Sequence, residues 1–110
     1  MSNVMADRRD APRYPLIVMA EVTQTSTGAK LIARTSDISR TGCYVDSLNP
    51  VAKGEQIHLR LINRSESFET DALVVYVSPG LGMGLRFAEF VTEKQIAILD
   101  SWLAGAAKLR

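Results

Sequence analysis

The chain has one cysteine, Cys43, and one histidine, His58, in 110 residues. A lone thiol cannot close an internal disulfide, so the fold must hold without one, which suits a reducing compartment. No Cys/His cluster has metal-ligand spacing, so a metal site is not expected. No nucleophile–base pair can be assembled from one His and one Cys, so an enzyme is the weakest option. Aromatic residues make up only 6% of the chain and the formal net charge is +1. Both values weigh against a nucleic-acid-binding barrel, which relies on a basic groove and stacking side chains. The longest apolar run, Leu16 to Ala20, is far too short to span a membrane. The start, Met1-Ser2-Asn3, has neither a basic n-region nor an apolar h-region. A cytoplasmic protein without membrane insertion is therefore expected.

What is present is ordinary for a globular domain: 46% hydrophobic and 23% charged residues. The length fits one domain, able to bury a core unaided. Residues 1–7 lack apolar periodicity and read as a flexible tail; residues 8–104 form the domain, and 105–110 a C-terminal tail.

Extended segments dominate. Leu16, Val18, Ala20 and Val22 alternate along a strand reaching Thr25, and Thr25-Ser26-Thr27-Gly28 reads as a turn. Lys30 to Ser36 returns antiparallel, Asp37 to Gly42 carries turn chemistry, and Cys43-Tyr44-Val45 resumes the strand. From Glu55 to Leu61 the residues Ile57, Leu59 and Leu61 point inward, while Gln56, His58 and Arg60 point outward. Phe68 to Val77 is a long strand rich in β-branched residues, and Gly82 to Phe87 is a last one whose glycines permit bending or close approach. The period then changes. Thr92 and Gln95 form a capping box, Val91 and Ile96 a staple, and Ile96, Leu99 and Leu103 an apolar stripe with Trp102 beside it. Gly105 is the expected helix stop. The predicted fold is all-β dominated: a six-stranded antiparallel β-barrel with a C-terminal α-helix.

Two short motifs carry the chemistry. Arg8, Arg9 and Arg13 place three guanidinium groups within six residues. Their planar forks suit phosphate oxygens and the O6/N7 edge of guanine. Asp37-Ile38-Ser39-Arg40-Thr41-Gly42 follows, and an ionised carboxylate accepts from guanine N1–H and N2–H₂. Asp37 and Ser39 are two residues apart, so in extended backbone both would face one ligand; equally, Asp and Ser build turns. Arg40 is either a pocket-rim charge or a solvated one. Tyr76 is a possible rim residue. His58 reads as a surface side chain, and Cys43 and Trp102 as core.

With these motifs in this order the chain resembles the PilZ domain family, bacterial receptors for cyclic di-GMP. The family motif RxxxR matches Arg9 to Arg13, with Arg8 as the frequent extra arginine, and (D/N)xSxxG matches Asp37 to Gly42. Thr41 departs from the small residue common there. The resemblance covers residues 8–104 and implies a split barrel that binds cyclic di-GMP through Arg8, Arg9, Arg13, Asp37, Ser39 and Gly42. It further implies an arginine loop that orders on binding and alters a surface offered to an unidentified downstream protein, in motility, exopolysaccharide or attachment control. No separate cofactor is implied. The alternatives are a barrel of this fold that has become a ligand-independent interaction module, or a small single-stranded nucleic-acid binder.

Overall fold

A computed structural model describes residues 11–108. Seven strands and a helix follow in order: β1 (Tyr14–Pro15), β2 (Met19–Gln24), β3 (Lys30–Ile38), β4 (Gly42–Asp46), β5 (Gln56–Asn63), β6 (Glu66–Ser78), β7 (Gly82–Phe87) and α1 (Glu93–Lys108). The sheet runs β3-β2-β5-β6-β7-β4, and β4 pairs back onto β3. Every pairing is antiparallel. This is the predicted six-stranded barrel with its C-terminal helix, plus the two-residue β1. Closure leaves no free edge along the ring.

Strand β1 continues the line of β2 along β3, pairing Tyr14 with Ile38 and Pro15 with Asp37. The expected strand from Leu16 starts three residues late, and Thr35 is the reason. Its buried hydroxyl accepts from Val18 N–H at 3.0 Å and donates to the Leu16 carbonyl at 2.7 Å. The Thr35 N–H donates to the Val18 carbonyl at 2.9 Å. A threonine thus takes up backbone groups that a ladder would otherwise pair.

The inward face is mostly apolar, with Thr35 and Thr70 as its buried polar strand residues. Val18, Ala20 and Val22 of the first line, Ile57, Leu59 and Leu61 of β5, and Phe68, Ala72 and Val74 of β6 are all buried. Met83, Leu85 and Phe87 of β7 join them, with Phe68 and Phe87 in tilted ring contact at 5.1 Å. The predicted alternation on β5 holds: Gln56, His58 and Arg60 are exposed. Leu99, Trp102, Leu103 and Ala106 form the buried face of α1. The Trp102 indole N–H donates to Glu66 Oε1 at 2.9 Å, tying the helix to the start of β6.

The helix begins as its sequence indicates. Thr92 Oγ1 accepts from Gln95 N–H at 3.2 Å, and the Thr92 carbonyl accepts from Ile96 N–H at 3.0 Å. The Gln95 side chain differs from the expected box: it accepts from the Glu69 N–H, so it docks the helix on β6. Gly105 does not stop the helix, which runs to Lys108. Ala106 is buried in that last turn, and packing outweighs the roughly 1 kcal/mol penalty of one helical glycine.

Two β-bulges interrupt the ladders. In β3 the register shifts between Thr35 and Asp37, and in β6 between Val74 and Tyr76. Ser36 and Val75 are the extra residues. Each bulge turns the residue that follows it to the opposite face.

Candidate functional site

Strand alternation alone would place Asp37 on the same face as buried Thr35, and Tyr76 on the same face as buried Val74. The bulges move both outward. Asp37 then pairs across to Tyr44, Tyr44 to Gly84, and Gly84 to Tyr76. One row thus crosses β3, β4, β7 and β6 on the outer face. At about 4.8 Å per strand spacing it spans roughly 14 Å.

Arg13 stands at the acidic end of this row. Its Nη2 and Nε donate to Asp37 Oδ1 at 2.6 and 3.1 Å. Strand β1 holds the arginine there, because Pro15 sits opposite Asp37 on the ladder. Among the described residues both bonds fall on Oδ1. The two side chains are 46% and 34% exposed. Solvent therefore screens the pair, and its net stabilisation is about 0.2–1 kcal/mol.

Ser39 is 1% exposed and serves the β3–β4 turn. Its hydroxyl accepts from Thr41 N–H and Gly42 N–H, each at 3.2 Å, donates to the Gly42 carbonyl at 3.2 Å, and lies 3.3 Å from Thr41 Oγ1. One donor and two lone pairs are thereby occupied. Strand geometry ends at Ile38, so Ser39 does not share the outward direction of Asp37. Gly42 is required by packing: a Cβ there would lie 2.1 Å from the Leu85 carbonyl oxygen, a backbone atom that cannot swing aside.

Arg40 leaves this surface. Its Nε pairs with Asp100 Oδ1 of α1 at 3.0 Å. Tyr76 is 46% exposed and stands at the other end of the row from Asp37. Arg8 and Arg9 lie outside the described residues, as does the expected tail over residues 1–7. The structure thus brings Arg13, Asp37, Tyr44 and Tyr76 onto one face, sets Ser39 and Gly42 beneath it as turn builders, and sends Arg40 elsewhere.

Tyr44 has no role in the motif-based assignment. Its ring and that of Tyr76 are 6.0 Å apart between centroids, tilted by 32°. A Cβ on Gly84 would meet Tyr76 Cε2 at 2.2 Å, and one on Gly82 would meet Tyr44 Cε2 at 2.7 Å. The rings therefore lie down over the two glycines of β7. The signal in the sequence was Gly82-Met83-Gly84, which leaves an outward groove where neighbouring strands carry tyrosines.

Cys43 is buried behind the row. Burial pushes its thiol well above the ordinary thiol range; the Asp37 charge adds to this, and Arg13 opposes it. His58 lies on another part of the outer surface, between Asp71 at 3.1 Å and Glu69 at 3.0 Å. Hydrogen bonds to Asp71 first and Glu69 second raise its pKa. Among the described residues, no group of three or more His, Cys, Asp or Glu side chains could hold a metal ion. No helix among them is long and apolar enough to cross a membrane.

No curated protein sequence matches the chain. Among solved structures, the PilZ domain of YcgR from Escherichia coli, with c-di-GMP, aligns with a TM-score of 0.74 at 16% identity, covering 92% of each chain. The Bacillus subtilis inhibitor of motility (MotI/DgrA) aligns at 0.73 and 19% identity, over 93% of this chain and 53% of that one. The chain thus spans about half the length of that protein. The PilZ domain of CeSA from a cellulose-synthesizing bacterium aligns at 0.64 and 15% identity, over 86% of this chain and 97% of that one. At these identities the likeness establishes a shared barrel. The PilZ domain model matches residues 7–105, nearly the whole sequence, and the chain belongs to the PilZ domain family.

Proposed function

We propose that this chain is a cyclic di-GMP-binding effector module of the cytoplasm, without catalytic activity of its own. The observation that carries the proposal is the Arg13–Asp37 pair, presented half-exposed on the outer face of the barrel. A guanidinium and a carboxylate are complementary to a phosphate oxygen and to the N1–H/N2–H₂ edge of guanine, respectively. Arg13 is the second arginine of the Arg9–Arg13 motif, and Asp37 opens the motif that ends at Gly42. The E. coli YcgR domain of similar fold was solved with c-di-GMP.

In this proposal Arg8 and Arg9 close over the ligand from the segment preceding β1, while Arg13 and Asp37 hold it from the barrel. Ser39 and Gly42 act by shaping the turn beneath. Closing the segment over the row changes the surface seen by a downstream protein, which is the output.

Calorimetric titration with cyclic di-GMP, GTP and single-stranded RNA tests the proposal. A ligand at a hundredfold its Kd adds about 2.7 kcal/mol to stability. At about 4 °C per kcal/mol, the melting midpoint rises by about 10 °C with cyclic di-GMP and by much less with GTP. Arg9→Ala, Arg13→Ala and Asp37→Ala each weaken binding about tenfold to a hundredfold, the worth of a charge-assisted hydrogen bond. Folded protein that shows no heat and no shift with millimolar cyclic di-GMP, or that binds RNA instead, refutes the proposal.

A further inference from the structure

The row from Asp37 to Tyr76 holds more than the two motifs account for. Tyr44 and Tyr76 lie outside the barrel core, in tilted contact, over a strand whose outward positions at 82 and 84 carry no side chains. A tyrosine on a strand normally stands away from the sheet. Here the ring atoms fill the space where glycine Cβ atoms would be, so the rings recline and turn a π-face outward. Tyr76 reaches this position only because of the bulge at Val75. Bulges that re-aim a side chain concentrate beside functional sites. The second bulge, at Ser36, brings Asp37 to the other end of the same row.

We propose that Tyr44 and Tyr76 are the floor on which a guanine of bound cyclic di-GMP stacks, with Tyr76 as the exposed face and Tyr44 as its support beside Asp37. The inference rests on the function proposed above and adds a specificity-determining contact to it. A flat aromatic surface with a carboxylate on the same face recognises a purine rather than a bare phosphate. Tyr44, as the direct cross-strand neighbour of Asp37, links the two. Gly82 and Gly84 are then part of the site, since any side chain there would push the rings upright.

The test has two readouts. Intermolecular NOEs between guanine H8 and tyrosine ring protons are measured on the unaltered protein with cyclic di-GMP, assigned through Tyr44→Phe and Tyr76→Phe. Calorimetry compares Tyr76→Phe, Tyr76→Leu and Tyr44→Leu, each checked by its melt. The expected result is NOEs to Tyr76 and parent-like binding by Tyr76→Phe. Tyr76→Leu, which still covers Gly84, binds about fivefold to a hundredfold more weakly, the range for loss of one base–aromatic stack. If cyclic di-GMP binds the parent but shows no NOE to either ring, or Tyr76→Leu binds as the parent does, the floor is refuted and the function stands. If the parent does not bind at all, both fall. Should a leucine variant fail to fold, the NOEs on the unaltered protein decide alone.

Discussion

Replacing Ser39 by alanine separates a turn-building role from a ligand-contacting one. The Ser39 hydroxyl accepts from the buried Gly42 N–H and faces the Gly42 carbonyl. In the alanine variant that N–H keeps its burial and loses its acceptor. An unsatisfied buried donor costs about 1–3 kcal/mol. Gly42 has little room to find another partner, because it packs so close to β7 that a Cβ there would lie 2.1 Å from the Leu85 carbonyl oxygen. With a urea m-value of about 2 kcal/mol/M, a loss near 2 kcal/mol lowers the unfolding midpoint by about 1 M. The melting midpoint falls by about 8 °C on the same basis. Asp37→Ala is the counterpart. It breaks only a solvent-screened pair and lowers stability by at most about 1 kcal/mol. Ser39→Ala should therefore unfold earlier yet bind cyclic di-GMP almost as the parent does well below its midpoint, and Asp37→Ala should do the reverse. Urea unfolding followed by the single tryptophan, Trp102, with calorimetry on both variants, measures this. A Ser39→Ala protein as stable as its parent but deficient in binding would refute the reasoning, because the hydroxyl would then be serving the ligand.

Two further outcomes follow from other parts of the molecule. The His58 pKa is raised above its ordinary 6.5 in the folded state, chiefly by hydrogen bonds to Asp71 and Glu69. Its contribution to stability is fully present below the unfolded value and is lost as pH rises through the folded one. Melts of the parent and of His58→Gln should thus differ more at pH 6 than at pH 8.5; an equal gap at both would show that the charged form is not favoured by folding. Trp102→Ala should remove about 3–5 kcal/mol, since it empties the contact between α1 and the barrel and the bond to Glu66. A melt within about 2 °C of the parent's, less than about 0.5 kcal/mol, would mean that the helix is not needed to close that side.

The ring of strands was legible because alternation survives locally. Ile57, Leu59 and Leu61 against Gln56, His58 and Arg60 define a face whatever the neighbours are. The start of α1 was legible for a similar reason, since a cap acts over one turn. Its continuation past Gly105 was not: Ala106, the next residue, is helical and buried. The same holds for Thr35, whose hydroxyl ends the line of β2 from across the sheet. In the candidate site, Arg13 and Asp37 were legible as chemistry and meet in space. The partner of Arg40 was not, because Asp100 lies on a helix whose placement depends on Trp102 and Gln95.

The bulges look least legible, yet they follow from spacing once the core is known. Thr35 and Ile38 are both buried and three residues apart; Val74 is buried, and Val77, three residues on, packs partly buried against the core. A regular strand buries residues an even number apart, so each of these pairs needs one extra residue between its members. The alternative in each case is a regular strand carrying Asp37 or Tyr76 into the core. An ionised carboxylate without a partner is not tolerated there, and a phenol would need a hydrogen-bonding partner among apolar side chains. The ring of strands is closed, so it offers no edge for strand pairing by a ligand. Its outer face remains for recognition. The residues that cannot be buried are therefore also the ones that give that face its carboxylate at one end and its aromatic ring at the other.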